Sequence, residues 1–595
     1  MLQIALQLKK RLYYIPILLL AFSANAQYYL RGEIKDEKNQ PLQNVKILLH
    51  SKNQFYFSGS YGGFGINTNK QYDSASLSLD GYETKTVHVN AEQWQYISLK
   101  ILASNVRNNR PRLISVTKNL EQTSKMHWYV DNETYFQLVE NEYVNAYKFP
   151  NTGFSLNVNK ASYSNVRRFI NMKSAVPPDA VRTEEMINYF NLNYQEPNNG
   201  DLFRFESQLT SCPWDAEKQL LLLNINAQKL NLNMIPPGNF VFLIDVSGSM
   251  DMPNRLPLLK AAFQMFVKNL RAIDTVSIVI YGGTVGVWLQ PTGGAEKEKI
   301  TKSIEELSAS GDTPGEAAIM TAYALARSTF KAAGSNRVIL ATDGDFNVGL
   351  SSEKALEDLI TKERQGGIYL TCLGVGMGNF KDSKLATLAK KGNGNYAYLD
   401  DINEAEKVLV KELTQTFFAV ADDVFMNLKF NPKLVKEYRL IGFDNRRDAV
   451  VDTTIDLEGG EIGSGNNVLA IFEIVPANDK LVTSQILPTD KVAEIEMRYS
   501  LCDDTAHLFL TNYCSANFTE FKNIHKDLQF ATAVAMFALK IKQSKYIKPV
   551  DWDDIQRIAL ECYDPNSFLQ TEFLQLVNKA QDIYDPKKRK KNKRY

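Results

Sequence analysis

Three short segments carry the oxygen-bearing side chains that could do chemistry in this sequence. They are residues 245–249 (DVSGS), 312–315 (DTPG) and 342–344 (TDG). Carboxylate and hydroxyl oxygens are the ligands that hard divalent cations such as Mg²⁺ prefer. A single Asp/Ser loop is also typical of a turn that caps a helix. The segments therefore predict a cation site only if the fold brings all three together.

An alternation of apolar strands and amphipathic helices surrounds these segments between residues 239 and 418. Predicted strands are 240–244, 276–281, 285–289, 338–341, 369–373 and 396–399, and predicted helices are 256–270, 296–307, 315–333, 352–364, 383–390 and 403–416. This alternation predicts a mostly parallel sheet with helices on both faces. Ligand sites in such sheets form at the carboxyl ends of the strands, so the three segments are expected to converge there.

The motifs and their order resemble the metal-ion-dependent adhesion site of the von Willebrand factor type A (VWA) family. The resemblance implies five ligands: Asp245, Ser247 and Ser249 in the first loop, Thr313 in the second, and Asp343 in the third, directly or through water. Mg²⁺ is the expected ion, with Mn²⁺ or Ca²⁺ as alternatives. Few of these ligands are charged, so the metal would keep positive charge and an open position for an Asp or Glu carboxylate of a partner.

A wider resemblance covers roughly residues 150–590. Residues 161–169, 181–190, 336–349 and 438–446 are similar to a bacterial family in which a VWA domain lies between its own N-terminal and C-terminal domains. Residues 202–210, 219–225 and 422–475 are strand-like, whereas residues 159–172, 179–192, 526–539, 551–562 and 570–584 are predicted helices. Because strand-rich sequence lies on both sides of the α/β module, we expect that module to be inserted into a β-sandwich built from both flanks.

The N-terminal part of the chain has its own pattern. Residues 28–102 alternate apolar and polar residues in short runs, which predicts a small β-sandwich. This segment resembles carboxypeptidase regulatory-like modules, although residues 61–63 (YGG) replace the Asp-rich turn of that family. The resemblance implies an accessory or spacer module without catalysis. Residues 104–147 are polar and irregular and are predicted to be a linker with one or two short elements.

The first 26 residues are typical of a secretory signal. Residues 9–11 are basic, residues 13–22 are a short apolar run, and residues 24–26 (ANA) form a small-residue cleavage site. We therefore expect export to the periplasm or the cell surface. The five cysteines are few for an exported protein, and the sequence leaves open whether Cys502 and Cys514 form a disulfide.

Other classes of function receive little support. Lys and Arg total 68 against 67 for Asp and Glu, so no charge bias favours nucleic acid. The α/β region contains no histidine that could activate Ser247 or Ser249, and the glycines at residues 374–378 lack the dinucleotide-loop spacing. The basic residues at 587–594 are typical of a solvated end, with a tether to anionic lipid or envelope polymer as the alternative.

The main hypothesis is an exported, non-enzymatic interaction protein that binds an acidic group of a partner through its VWA metal site. The alternatives are an envelope scaffold with a structural metal and an enzyme acting on an envelope polymer. The fold class is multidomain α/β plus β: a Rossmann-like VWA domain between sandwich and helical flanks, preceded by a small sandwich. The predicted segments are 1–26 (signal), 27–103 (regulatory-like sandwich), 104–147 (linker), 148–236 (N-terminal flank), 237–418 (VWA), 419–584 (C-terminal flank) and 585–595 (basic tail).

Overall fold

The computed structural model describes most of the 595 residues, in two units that lie within residues 1–118 and 119–595. The described residues are 28–37, 39–59, 61–79, 82–100, 133–198, 200–231, 235–282, 284–310, 315–344, 353–378, 380–444, 460–477, 490–501 and 506–585. The predicted signal, residues 586–595 of the basic tail, Thr313 and Cys502 lie outside them. None of the described helices is long and apolar enough to cross a membrane.

Two small sheets form the first unit. Its strands are β1 (Tyr28–Asp36), β2 (Lys46–Leu49), β3 (Gln54–Phe57), β4 (Gly63–Thr68), β5 (Tyr72–Ser78), β6 (Lys85–Asn90) and β7 (Trp94–Leu99). One sheet has the order β4-β1-β7 and the other β3-β2-β5-β6. Alternate residues such as Leu30, Ile34, Ile47 and Leu77 are buried in one core, as a period of two requires. The predicted small sandwich is therefore present.

A six-stranded sheet forms the centre of the α/β module in the second unit. Its strands are β12 (Gly238–Asp245), β13 (Thr275–Gly282), β14 (Thr284–Gly293), β15 (Ser335–Thr342), β16 (Ile368–Val375) and β17 (Tyr396–Leu399), in the order β14-β13-β12-β15-β16-β17. All neighbouring pairs are parallel except β13 with β14. Every residue of β12 is buried because its side chains alternate between helices on two faces. The predicted parallel sheet is confirmed.

Helices cover both faces of this sheet. They are α3 (Leu256–Lys268), α4 (Lys297–Glu305), α5 (Gly315–Ser328), α6 (Glu353–Gln365), α7 (Asp382–Lys391), α8 (Ile402–Glu406) and α9 (Leu413–Phe417), numbered after the flanking helices α1 (Ala161–Asn171) and α2 (Thr183–Asn188). The predicted apolar face of α3 is buried against the sheet, and Phe263 stacks on Phe242 of β12 with ring centroids 4.3 Å apart. Helices α5, α6 and α7 contribute to the opposite core.

Strands from both flanks pair to make the sandwich beside this module. The flanking strands are β8 (Val144–Asn145), β9 (Asn151–Ser155), β10 (Phe203–Ser211), β11 (Gln219–Ala227), β18 (Ala419–Phe430), β19 (Val435–Ile441), β20 (Gly460–Gly463), β21 (Asn467–Pro476), β22 (Lys491–Ser500), β23 (His507–Ser515) and β24 (Phe518–Thr519). One sheet has the order β24-β10-β11-β21-β19-β8, and the other has β20-β18-β22-β23 with β9 added on β18. Because β11 pairs with β21 and β9 with β18, the α/β module is an insertion, as the sequence predicts.

The six-stranded sandwich sheet is covered by helices on its outer face. These are α1 and α2 together with α10 (Lys526–Lys542), α11 (Trp552–Cys562) and α12 (Phe568–Tyr584). In β11, Leu221 and Leu223 face the sandwich core whereas Leu220 and Leu222 face the helices. Burial on both faces explains the run of four leucines at residues 220–223 of this strand.

Of the predicted helices, the one at residues 179–192 is shortened and the one at residues 403–416 is interrupted. Residues 179–192 form a 3₁₀ turn at Pro178–Ala180 and the short α2, because Arg182 is extended and its side chain is held by Glu185 and Asp382. Residues 403–416 form α8, a π-helical turn at Lys407–Lys411, and α9. In the π turn the Glu412 N–H donates to the Lys407 carbonyl at 2.8 Å, a bond across five residues.

The end of the predicted linker is anchored to the second unit. Glu133 accepts two hydrogen bonds of 2.8 Å from the Arg168 guanidinium of α1. The side-chain amide of Asn141 donates to the carbonyl of Gly442 at 2.8 Å, and the hydroxyl of Tyr143 donates to Glu473 at 2.6 Å. Residues 133–147 are therefore a strap that is bound along its length by residues distant in sequence, which a local composition pattern cannot reveal.

Arg167 of α1 joins the α/β module to the flanking helices. Its guanidinium is 2% exposed and donates to Asp400 at 2.8 Å, Glu404 at 2.7 Å and Glu572 at 2.9 Å. Burial raises the pKa of Asp400 to about 7, against the opposing effect of Arg167. The guanidinium thus compensates the charges of Asp400 and Glu404, whose side chains are only 7% and 2% exposed.

We expect Arg167→Ala to destabilise the protein by about 3–5 kcal/mol, because it removes the guanidinium from the buried carboxylates of Asp400 and Glu404. The measurement is urea unfolding followed by circular dichroism. Arg204→Ala is the control: the Arg204–Glu206 pair is 38% and 31% exposed, and its loss should change stability by less than about 1 kcal/mol. Equal effects of the two substitutions would contradict the compensating role of Arg167.

Candidate metal centre

The candidate metal centre lies where the strand order of the module's sheet changes direction. From β12 the chain continues to β13 on one side, while β15 pairs with β12 on the other. The loops that follow β12 and β15 therefore border the same crevice at the carboxyl edge of the sheet. Ile244 is paired with Ala341, so Asp245 and Thr342 end adjacent strands at the same level.

Asp245 lies at the bottom of the site and is fully buried. Its Oδ1 accepts a hydrogen bond of 2.9 Å from the backbone N–H of Ser247, and its Oδ2 accepts one of 3.0 Å from the Thr342 hydroxyl. The first bond folds the loop back over the end of β12. The second connects that loop to β15. Both carboxylate oxygens are thus oriented by the two strands that the site bridges.

The hydroxyls of Ser247 and Ser249 form a chain of hydrogen bonds that ends at Asp343. The Ser247 and Ser249 Oγ atoms are 3.1 Å apart, and Ser249 Oγ donates to Asp343 Oδ2 at 2.8 Å. In an octahedron with metal–oxygen distances of about 2.1 Å, neighbouring ligand oxygens are about 3.0 Å apart. This donor set of carboxylates and hydroxyls, with that spacing, fits Mg²⁺.

Of the five predicted ligands, the structure brings four together: Asp245, Ser247, Ser249 and Asp343. Thr313 lies outside the described residues, although α5 begins just after it at Gly315. In the part of the chain that the structure describes, no group of three or more His, Cys, Asp or Glu is arranged to hold a metal ion. The predicted site contains only two carboxylates, so its other protein ligands would be neutral hydroxyls.

Burial disfavours negative charge at the bottom of the site. Desolvation raises the pKa of Asp245 to about 6, and the nearby charge of Asp343 acts in the same direction. Burial and the charge of Asp245 also raise the pKa of the Tyr281 phenol well above its ordinary value, so Tyr281 stays neutral. A cation is the group that would relieve this accumulation of buried negative charge.

Sequence reasoning missed one charged residue of the site, Arg255. Its Nη1 donates to Asp343 Oδ2 at 2.7 Å and to the Ser249 carbonyl at 2.6 Å, and its Nη2 donates to the Met377 carbonyl at 2.9 Å. Arg255 immediately precedes α3 and is 8% exposed. No ligand motif includes this position, so only the fold reveals it.

The loop after β16, residues 376–378, packs against Arg255. Gly376 has φ +78°, and a Cβ built there would lie 2.5 Å from Nε of Arg255. The Gly378 N–H donates to Glu133 at 2.9 Å, so the strap holds the other side of this loop. The glycines that superficially suggest a dinucleotide loop thus leave space for an arginine.

We expect metal-free protein to lose stability as the pH rises through 6, because the buried Asp245 must then ionise. Its folded-state pKa of about 6 is above the ordinary 3.8, so the stabilisation is complete below about pH 4 and disappears above about pH 6. A shift of roughly two units corresponds to about 3 kcal/mol. Asp245→Asn should remove this contribution.

The measurement is thermal unfolding in EDTA between about pH 4 and pH 8, which includes the interval in which the contribution of Asp245 disappears. Other buried carboxyls titrate over the same interval, so the informative quantity is the difference between the wild type and Asp245→Asn. Asp251→Asn is the matched control, because Asp251 is exposed just beyond the same loop. If the pH dependence of stability were identical in all three proteins, it could not be assigned to the ionisation of Asp245.

Family models match three segments of the chain. The model of the von Willebrand factor type A domain matches residues 240–345, and a second model, described as von Willebrand factor, matches residues 129–222. The model of the C-terminal part of the uncharacterized protein YfbK matches residues 415–583. The matched segments include β12, β15 and both carboxylates of the candidate site.

Individual proteins show the same similarity. The chain is 34% identical over 469 residues to the uncharacterized protein YfbK of Escherichia coli (strain K12), covering 76% of this chain and 81% of that protein. It is 26% identical over 168 residues to inter-alpha-trypsin inhibitor heavy chain H3 of Pongo abelii, covering 27% of this chain and 19% of that protein. A solved von Willebrand factor type A structure from Catenulispora acidiphila aligns with 15% identity and TM-score 0.38, covering 62% of this chain and 88% of that chain.

Proposed function

Because the chain belongs to the YfbK family of von Willebrand factor type A (VWA) proteins, we propose that it is an exported protein that captures a partner through a divalent metal. Protein–protein interaction is the role that its VWA domain indicates. In this proposal Mg²⁺ occupies the site, with Mn²⁺ or Ca²⁺ as alternatives. The captured group is an Asp or Glu carboxylate of the partner.

One observation carries the proposal: Asp245, Ser247, Ser249 and Asp343 are connected by hydrogen bonds, and the oxygen spacings from Ser247 to Ser249 and from Ser249 to Asp343 suit an octahedral cation. The two carboxylates formally balance a bound Mg²⁺, and the Arg255 guanidinium beside Asp343 leaves one net positive charge that would attract an anion. Thr313 would supply a further hydroxyl, as the VWA resemblance implies. Among the described residues, this arrangement offers carboxylates, hydroxyls and a guanidinium.

The exposure of the loop supports capture of an external group. Ser249 is exposed, whereas Asp245, Ser247 and Asp343 are buried, so the ligands would hold a cation from below and leave its outer side accessible. Met252, which follows the loop, is 53% exposed. A flexible apolar side chain beside a polar site suits contact with a protein partner.

Export and the role of the N-terminal unit are further parts of the proposal. Residues 1–26 have the features of a secretory signal, and they support placement in the periplasm or at the cell surface. The N-terminal sandwich would be an accessory or spacer module of the carboxypeptidase regulatory-like type. The basic residues at 587–594 would add weak attraction to anionic envelope surfaces.

An enzymatic function is the weaker alternative. No histidine occurs in residues 237–418 to activate Ser247 or Ser249. The described cysteines, Cys212, Cys372, Cys514 and Cys562, are buried free thiols, and burial raises the pKa of Cys212 and Cys562 to about 12. A thiol with so high a pKa is a poor nucleophile at neutral pH.

Calorimetric titration with Mg²⁺ and a capture assay test the proposal together. Mature protein is immobilised and exposed to envelope extract in Mg²⁺ and in EDTA, and Asp245→Asn is compared with the matched control Asp251→Asn. We expect wild type and the control to bind one Mg²⁺ and to retain a partner that EDTA releases. Asp245→Asn should bind Mg²⁺ at least about tenfold more weakly and retain little partner.

Two outcomes would count against this function. Equal retention by all the proteins in Mg²⁺ and EDTA would indicate the scaffold alternative, in which the metal is structural and other surfaces make the contact. Metal-dependent turnover of a peptide, glycan or ester substrate by wild type, absent in Asp245→Asn, would indicate an enzyme.

A further inference from the structure

Arg255 places a permanent positive charge inside the candidate metal centre. Its guanidinium is bound to Asp343 at 2.7 Å, and the same Asp343 oxygen accepts the hydrogen bond from Ser249. The remaining acceptors of this guanidinium, the carbonyls of Ser249 and Met377, are neutral. Arg255 thus offsets one of the two carboxylate charges before any metal binds.

The local net charge follows from these groups. Without Arg255 the two carboxylates would neutralise a divalent cation completely. With Arg255 present, the loaded site keeps a net charge of one positive unit. Charges that are close together and shielded from water interact strongly. The charge of Arg255 therefore affects the affinity of the site for the cation and for any incoming anion.

We propose that Arg255 sets the binding preference of the site, weakening its affinity for the metal and strengthening the affinity of the loaded site for a carboxylate. This inference rests on the proposed metal-dependent function and assigns that function a residue outside the ligand motif. Arg255 acts through its charge and through Asp343, and it is therefore a positioning residue.

The surroundings of Arg255 hold its charge in place. The side chain contacts the loops after β12, β15 and β16, and Gly376 leaves room for its Nε, which is buried without a hydrogen-bond partner. A guanidinium can bond several loops at once because its donors form a rigid fork. A lysine would keep the charge but lose most of these hydrogen bonds. Arg255→Lys therefore separates the contribution of the charge from that of the hydrogen bonds.

The test uses full mature protein and two probes that do not require the natural partner. Mn²⁺ binding is measured by electron paramagnetic resonance. Carboxylate binding to the Mn²⁺-loaded protein is measured with N-acetyl-aspartate, whose coordination displaces water and lowers the water-proton relaxation rate. Arg255→Gln should bind Mn²⁺ at least about fivefold more tightly and N-acetyl-aspartate at least about fivefold more weakly than wild type.

Two variants serve as comparisons. Arg255→Lys should retain near wild-type preference, because it keeps the charge. Arg327→Gln makes the same charge change near the end of α5, roughly 18 Å along the helix from Gly315, where Arg327 is 52% exposed, and it should alter neither affinity. If Arg255→Gln does not fold, Gly376→Ala provides the test, since the added methyl group must displace the guanidinium and should shift both affinities in the directions expected for Arg255→Gln.

The result that overturns the inference is a change of both affinities in the same direction in Arg255→Gln, or no change in either. Weakening of both in Arg255→Gln and Arg255→Lys would show that Arg255 only orients Asp343. Failure of wild type to bind Mn²⁺ would instead overturn the proposed function, and Mn²⁺ binding by Arg255→Gln alone would show that the guanidinium replaces the metal.

Discussion

Two buried carboxylates at the ends of adjacent strands impose the constraint on which the site depends. Asp245 follows directly on β12, and Asp343 follows directly on β15, its parallel neighbour. Their negative charges are close and largely out of water, so the fold requires compensation. The Ser247 amide and Thr342 hydroxyl supply hydrogen bonds to Asp245, and Arg255 supplies a cation to Asp343. A metal bound there would complete this compensation and offer its remaining charge to a ligand.

Buried ion pairs also connect the α/β module to its flanks. Arg167 connects α1 to Asp400 and Glu404, Arg182 connects the segment before α2 to Asp382, and Arg337 of β15 is paired with Glu461 at 2.6 Å. Each pair joins the α/β module to a flank and is nearly inaccessible to water. Such pairs add less stability than an apolar contact of equal size, but they tolerate few alternative arrangements. They therefore favour one orientation of the module in the sandwich.

The local sequence pattern predicted strands and helices correctly where the burial of regularly spaced apolar side chains determines their contacts. The strands at residues 240–244 and 338–341 and the helix at 256–270 were predictable because buried apolar side chains recur with the period of each element. It failed at residues 179–192 and 403–416, where buried ion pairs of Arg182 and Glu412 accompany breaks in a helical pattern. It predicted the irregular backbone of the strap at residues 133–147 but not its contacts, because their partners are far away in the sequence.

The sequence by itself determined the order of strands and helices and four candidate ligands that the structure brings together, because both are properties of short segments: a hydrophobic period and a loop motif at the exit of a strand. Only the tertiary structure decided which strands of the two flanks pair, and only it placed Arg255 on Asp343 and the 376–378 loop beside it. Those contacts join residues separated by tens to hundreds of positions, and their energies depend on burial, which no local pattern contains.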